Sequence, residues 1–223
     1  MNSTLTRQAF AWRCVVLAVA LWALFAVLGV LVVRNGEPPM LAALQRAADD
    51  RSTLVAWWLT WLCYLDVLAP VAIGLLVVAW RAPAWRRQIF FSIAMLLLCW
   101  RAADFFQHVF DRARPLDWVV KHETAFSYPS SHAAIAVGFY GLWAAMLFWS
   151  AAPSTGRRLA GGALAILAVA ICWSRLSLGA HYVTDLAGGA LLAAGIVAAG
   201  LAVVPVAPFR IAGRPVEGQN RAV

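Results

Sequence analysis

The apolar run CVVLAVALWALFAVLGVLVV, residues 14–33, decides the fold class of this chain. It contains no charged side chain, and about 20 apolar residues in a helix cross the hydrocarbon core of a bilayer. Similar runs recur along the 223 residues, of which 63% are hydrophobic and 13% charged. With a mean hydropathy of +0.77, the chain is too apolar for a soluble domain. We therefore predict an all-α polytopic membrane protein.

The apolar runs predict a six-helix membrane domain over residues 1–204, followed by a tail over residues 205–223. Residues 14–33 are not expected to be a signal peptide, because Arg34 follows directly where a small-residue cleavage site would be needed. The predicted spans are residues 14–33, 54–80, 88–110, 132–150, 159–173 and 182–204.

The basic residues predict the orientation of the spans and argue against nucleic acid as a partner. The net charge is +8, but the basic residues are scattered between apolar runs and form no long tract. Cytoplasmic loops of membrane proteins are enriched in Lys and Arg. Both termini are therefore predicted to be cytoplasmic, with the loops after spans one, three and five outside. The residues behind this prediction are Arg7, Arg13, Arg81, Arg86, Arg87, Arg157, Arg158, Arg210, Arg214 and Arg221.

Two charged residues within the predicted spans are expected to form an ion pair. Asp66 lies about nine residues from the outer end of span two, and Arg101 has a similar depth in span three. Because a charge inside a membrane usually has a partner, an Asp66–Arg101 pair is predicted.

The polar stretch SRLSLGAHYVTD, residues 174–185, separates the last two apolar runs. Its His181 and Asp185 are four residues apart, so both side chains lie on one face of a helix. A carboxylate in that position fixes the tautomer of the imidazole and raises the basicity of its other nitrogen. This pair suits a nucleophile or a general base.

Two further polar blocks, residues 107–115 and 128–132, are predicted at the same membrane level as the third block. Because antiparallel spans with short connections pack as neighbours, the three blocks can form one site. Arginine guanidinium groups, hydroxyl groups and a helix N-terminus can all bind phosphate oxygens. Of two histidines, one can attack the phosphorus atom while the other protonates the leaving oxygen. No carboxylate cluster suited to Mg²⁺ is present, so we predict metal-independent phosphoryl transfer without a cofactor.

The three blocks resemble the signature of the type 2 phosphatidic acid phosphatase superfamily of membrane lipid phosphatases. That signature is Lys-x6-Arg-Pro, then Pro-Ser-Gly-His, then Ser-Arg-x5-His-x3-Asp. The third block matches in full and the others match in part. The matching residues are Arg114, Pro115, Pro129, Ser130, His132, Ser174, Arg175, His181 and Asp185.

The resemblance implies a role for each matching polar residue. It implies that His181 is the nucleophile that forms a phosphohistidine, that Asp185 orients it, and that His132 protonates the departing lipid oxygen. It also implies a phosphate-binding group made of Arg114, Arg175 and Ser130.

Two positions depart from the family pattern. Gln107 replaces the lysine, so the phosphate site is expected to lose one cation and to bind phosphate more weakly, since charge-assisted hydrogen bonds are the stronger ones. Arg112 and Lys121 are candidates for a replacement cation because they lie close to the first block. Ser131 replaces the glycine, and it either narrows the site or adds a hydrogen-bond donor.

The resemblance implies a phosphatase in a bacterial inner membrane, with its site on the outer face and a lipid phosphate as substrate. Candidate substrates are an isoprenoid diphosphate such as undecaprenyl diphosphate, phosphatidate, and phosphatidylglycerol phosphate. One alternative is a phosphatase or phosphotransferase acting on lipid A. Another, from a different class, is a membrane binding or scaffold protein that has lost catalysis, for which Gln107 is the support. The oligomeric state does not follow from the sequence.

Overall fold

The computed structural model describes residues 3–47, 53–115, 125–149 and 154–204. These residues form helices and no β-strand, which confirms the predicted all-α fold class. The helices are α1 (Ser3–Asn35), α2 (Pro39–Ala47), α3 (Thr53–Trp61), α4 (Leu65–Arg81), α5 (Arg86–Phe110), α6 (Ser131–Ile135), α7 (Leu142–Phe148), α8 (Thr155–Ser177) and α9 (Val183–Val203).

Five spans of the described chain are long and apolar enough to cross a membrane. They are Arg7–Asn35, Pro83–Phe110, Ser131–Phe148, Thr155–Ser177 and Val183–Val203. The third of these joins α6 to α7 through a π-helical turn, Ala136–Gly141. A sixth span results if α3 and α4, which are bent by 45° relative to each other, cross the membrane together. The chain is therefore a polytopic membrane protein. The predicted tail, residues 205–223, lies outside the described residues.

The second predicted span is broken between Trp61 and Leu65, ahead of both Asp66 and Pro70. Asp66 lies in the first turn of α4, where the helix dipole favours a carboxylate. Pro70 is accommodated within α4. At the break, the Leu62 carbonyl oxygen accepts a hydrogen bond of 2.7 Å from the Tyr140 hydroxyl. This bond satisfies a backbone group that the break leaves without a helical partner.

The predicted Asp66–Arg101 ion pair is wrong. Arg101 pairs with Asp104, three residues further along α5, at 3.6 Å, and both side chains are exposed. Residues three apart are neighbours on a helix surface, so this local partner is available to Arg101 without any approach of another helix. Asp66 is exposed at the start of α4.

Helix α9 is the central packing element, in contact with α1, α5 and α6. Its glycines allow a close approach: a Cβ at Gly189 would meet the carbonyl oxygen of Ser130, and one at Gly188 would meet the ring of Tyr128. The Tyr128 hydroxyl in turn donates a hydrogen bond of 2.7 Å to the Phe25 carbonyl oxygen of α1. These contacts fix the segment before α6 against the first turns of α9.

Candidate active site

The three polar blocks lie together at one end of the helix bundle. Successive spans alternate in direction. The same end of the bundle therefore holds the C-terminal ends of α5 and α8 and the N-terminal ends of α6 and α9. The Gln107 side-chain amide donates to the Pro129 carbonyl oxygen at 2.9 Å, joining the first and second blocks. The Ser130 backbone N–H donates to the Asp185 carbonyl oxygen at 3.0 Å, joining the second and third.

His181 is completely buried between Arg114 and Asp185. Gly179, with φ of 64°, turns the chain after α8 and leads into this residue. Arg114 Nη1 lies 3.2 Å from His181 Nε2, and Asp185 Oδ2 lies 3.5 Å from His181 Nδ1. Because a guanidinium group only donates, the arrangement fits a neutral ring with its proton on Nδ1. The lone pair of Nε2 then faces Arg114.

The electrostatic surroundings of His181 favour the neutral imidazole. Burial, together with the positive charges of Arg114 and Arg175, lowers the pKa of His181 to about 4, although Asp185 acts in the opposite direction. The ring is therefore unprotonated at neutral pH, which is the state a nucleophile requires.

The Asp185 carboxylate is held on both oxygens. Oδ2 accepts hydrogen bonds from the Ser127 hydroxyl at 2.5 Å and from the Tyr182 backbone N–H at 2.8 Å. Oδ1 accepts from Arg112 Nη1 at 2.5 Å. The carboxylate is fully buried, so these donors replace the water that would otherwise solvate it. The oxygen that faces the imidazole is thus fixed in direction.

Two arginines approach the buried histidine from different elements. Arg114, which follows α5, is anchored by hydrogen bonds to the carbonyl oxygens of Ala125 at 2.6 Å and Ala180 at 3.1 Å. Arg175, in the last turn of α8, is fully buried and donates to the Thr60 hydroxyl at 2.5 Å. One buried and one half-buried guanidinium group form a suitable binding site for an anion with several oxygens.

The second block begins the helix that carries His132. Ser130 caps α6, and its hydroxyl accepts a hydrogen bond from the Ala133 backbone N–H at 3.3 Å. His132 follows in the first turn, 6% exposed, with its ring edge-on to Tyr64 at 5.2 Å between ring centres. Ser131 and His132 both line an apolar groove between the helices.

Two candidate phosphate ligands from the sequence have other partners. Gln107 is buried and its amide nitrogen binds the Pro129 carbonyl, so it positions the second block. Arg112 is buried and binds Glu37, Thr184 and Asp185, with its guanidinium 4.2 Å from the centre of the Tyr182 ring. These contacts do not support the expectation that Arg112 replaces the missing lysine. The other candidate, Lys121, lies outside the described residues.

Three side chains of the site were not predicted from the sequence: Glu37, Thr60 and Ser127. Thr60 is a polar residue inside an apolar run, which by itself is a signal of function in membrane helices. Ser127 directly precedes the second block. Glu37 follows span one on the predicted outer side, where its carboxylate is available to the outer ends of the other spans.

An apolar groove of about 560 Å³ leads to His132. Its walls come from the break after α3, from α4 and from α5, and its polar end is formed by Ser131 and His132. The apolar walls include Leu65, Leu68, Ala69, Ala72, Ile73, Ile93, Leu96, Leu97 and Trp100. The bend between α3 and α4 lies at this end of the groove.

Comparisons with known proteins agree with this fold and with these motifs. The crystal structure of the first transmembrane PAP2 type phosphatidylglycerolphosphate phosphatase from Bacillus subtilis is similar, with a TM-score of 0.68 and 23% sequence identity. The match covers 83% of this chain and 94% of that chain. A search of curated proteins found no match. A sequence model of the PAP2 superfamily matches residues 85–208, more than half of the chain and all three polar blocks. The chain therefore belongs to the PAP2 superfamily.

Proposed function

We propose that this protein is a membrane phosphatase that hydrolyses a phosphomonoester or diphosphate of a lipid through a phosphohistidine. The observation that carries the proposal is the row formed by buried Asp185, buried His181 and half-buried Arg114, in which the imidazole has a carboxylate behind Nδ1 and a cation in front of Nε2. A lone pair that faces a cation is placed to attack a phosphorus atom whose oxygens bind that cation.

In the first step, Nε2 of His181 attacks phosphorus, and the bond from phosphorus to the lipid oxygen breaks. The guanidinium groups of Arg114 and Arg175 bind the phosphate oxygens and balance their charge. Asp185 accepts a hydrogen bond from the Nδ1–H group and stabilises the positive charge that develops on the ring. His132 donates its proton to the departing lipid oxygen.

In the second step, water hydrolyses the phosphohistidine. His132, now unprotonated, accepts a proton from the attacking water, and the bond between phosphorus and Nε2 breaks. Inorganic phosphate leaves and His181 returns to the neutral state, which its lowered pKa of about 4 favours.

The groove beside His132 supports a lipid substrate. It places an apolar chain next to the histidine that would protonate the lipid oxygen. The similar Bacillus subtilis protein is described as a phosphatidylglycerolphosphate phosphatase. We include phosphatidylglycerol phosphate, phosphatidate and undecaprenyl diphosphate as candidate substrates. The distribution of basic residues supports cytoplasmic termini and a site on the outer face of a bacterial inner membrane.

The function is tested by phosphate release from a panel of lipid phosphates in detergent micelles. The purified protein is expected to release phosphate from at least one of the three candidates, whereas protein with His181→Ala releases none. Wild-type protein that leaves every lipid phosphate in the panel intact overturns the proposal.

Filling the groove is expected to impair long-chain substrates selectively. In the Ala72→Trp variant a large ring occupies the space of a lipid chain, and overfilling an apolar site costs about 1–3 kcal/mol. The value of kcat/KM for a long-chain lipid phosphate is expected to fall about tenfold or more. For a short water-soluble phosphate ester it is expected to remain unchanged.

Ala23→Trp serves as the matched control, since Ala23 is exposed on α1, outside the groove. It is expected to leave both substrates unaffected. Equal losses for long and short substrates in Ala72→Trp contradict the assignment of the groove to the lipid chain.

The acid limb of the pH profile is expected to move when Arg114 is neutralised. In the wild type, the limb of kcat/KM that reports His181 lies near its pKa of about 4. Arg114→Gln removes one of the positive charges that disfavour the imidazolium, so the pKa of His181 rises and activity is lost at a higher pH. The substrate titrates identically with both enzymes, so the difference between their profiles isolates the enzyme group.

Arg101→Gln is the control for this shift, because Arg101 is an exposed arginine of α5 paired with Asp104. Its acid limb is expected to coincide with that of the wild type. An Arg114→Gln profile whose acid limb stays in place, or moves to lower pH, contradicts the electrostatic role of Arg114.

A further inference from the structure

Glu37 reaches the site from the chain that follows α1. Its side chain is 4% exposed, and Oε2 lies 3.1 Å from Arg112 Nη2. The same oxygen accepts a hydrogen bond from the Thr184 hydroxyl, and Oε1 accepts one from the Thr184 backbone N–H at 3.2 Å. Glu37 therefore binds both the arginine that contacts Asp185 and the first turn of the helix that carries Asp185.

Arg112 divides its two terminal nitrogens between two carboxylates. Nη2 binds Glu37, while Nη1 binds Asp185 Oδ1 and the Thr184 hydroxyl. Arg112 thus contacts the oxygen of Asp185 that faces away from the imidazole. The other oxygen, Oδ2, remains directed at His181 Nδ1.

We propose that Glu37 is a positioning residue: it holds Nη2 of Arg112 and so keeps Oδ2 of Asp185 available to His181. Arginine and carboxylate groups pair preferentially through two parallel hydrogen bonds. Without Glu37, Arg112 has one carboxylate left, and its freed Nη2 binds Asp185 Oδ2 in competition with the imidazole. Glu37 also balances the charge of Arg112, which leaves the negative charge of Asp185 to stabilise the ring as it becomes positive.

This contribution comes from outside the part of the chain that defines the family. The PAP2 superfamily model matches residues 85–208, and Glu37 lies well before them. The proposal rests on the proposed function, since it assigns Glu37 an effect on the nucleophile His181. It adds a carboxylate that acts through Arg112 and Asp185 without touching the phosphate.

The test is a single-turnover measurement with enzyme in excess over the lipid phosphate that the wild type hydrolyses. At saturating enzyme, the rate constant does not depend on the fraction of enzyme that is folded, whereas the enzyme concentration at half-saturation does. Glu37→Gln is expected to lower the saturating rate constant by about 10- to 100-fold, since small misplacements of catalytic groups have effects of this size. The half-saturating concentration is expected to stay within about twofold of wild type, since Glu37 does not bind phosphate.

Two further variants separate positioning from folding. Glu37→Asp keeps the charge and is expected to recover part of the rate. The double variant Glu37→Gln with Arg112→Gln leaves no unpaired buried cation, and it is expected to remain slow because Asp185 Oδ1 has lost its charged donor. The matched control Asp104→Asn removes the carboxylate of an exposed ion pair on α5 and is expected to match wild type.

The outcomes distinguish this inference from the proposed function. An active wild type with a Glu37→Gln variant of equal saturating rate overturns the role of Glu37 and leaves the phosphatase intact. A Glu37→Gln variant that has the wild-type saturating rate and a raised half-saturating enzyme concentration also overturns the role of Glu37, because that result is expected of a purely structural residue. A wild type without phosphatase activity overturns both.

Discussion

Replacing His181 with alanine is expected to abolish lipid phosphate hydrolysis, with a loss in kcat on the order of 10⁶-fold, as for other nucleophiles whose removal leaves only binding and electrostatic effects. The imidazole is the group whose lone pair faces Arg114, and an alanine side chain has no atom that could form a bond to phosphorus. The measurement is phosphate release per folded enzyme, together with trapping of a radiolabelled phosphoenzyme at acidic and alkaline pH. The wild type is expected to carry an acid-labile, base-stable label, and the variant none.

His108→Ala is the matched control for this experiment. His108 lies at the same end of the bundle as the three polar blocks, but it is exposed and its Nδ1 lies 2.9 Å from the Asp104 carbonyl oxygen of its own helix. It is expected to retain the activity and the labelling of the wild type. A labelled, active His181→Ala enzyme contradicts the phosphohistidine mechanism.

Replacing His132 with glutamine is expected to lower kcat for lipid phosphates by about 10²- to 10⁴-fold, the usual contribution of general acid–base catalysis. The lipid oxygen is a poor leaving group when it departs without a proton, and His132 stands at the polar end of the groove where that oxygen would lie. Glutamine has a similar size but cannot transfer a proton at neutral pH.

The nature of the leaving group tests this role directly. Nitrophenolate departs without protonation, so the formation of the phosphoenzyme from p-nitrophenyl phosphate is expected to be nearly unaffected in His132→Gln. The measurement is the initial release of nitrophenolate in a stopped-flow experiment, compared with phosphate release from the lipid. Equal losses with both substrates indicate that His132 does not act as the general acid.

The sequence-based prediction of the fold depended on local properties. The length of an apolar run is sufficient to predict a spanning helix, because the thickness of the bilayer sets the number of residues. The break at Leu62–Tyr64 was not predicted, since the bend is stabilised by Tyr140, a residue 78 positions away from Leu62. The Asp66–Arg101 pair was predicted from the depth of the two residues in the membrane, but depth does not determine which sides of two helices are in contact.

The site was predicted in outline and not in its contacts. His181 and Asp185 were expected to share one helix face because they are four residues apart. The two side chains do meet, but His181 lies before α9, which begins at Val183, so the contact crosses the N-terminus of that helix. Gln107 was expected in the phosphate site because it falls at the lysine position of the family pattern, and Arg112 because it lies close to the first block. Their actual partners, Pro129 for one and Glu37 and Asp185 for the other, depend on which elements pack side by side.

The sequence by itself determined that the chain is a helical membrane protein with three polar blocks at the ends of its spans. Those features depend on composition and short spacings, which are properties of single segments. Only the tertiary structure decided that Glu37 and Thr60, from the first third of the chain, bind Arg112 and Arg175. Contacts of this kind join residues more than 70 positions apart, so they follow from helix packing and leave no periodic signal in the sequence.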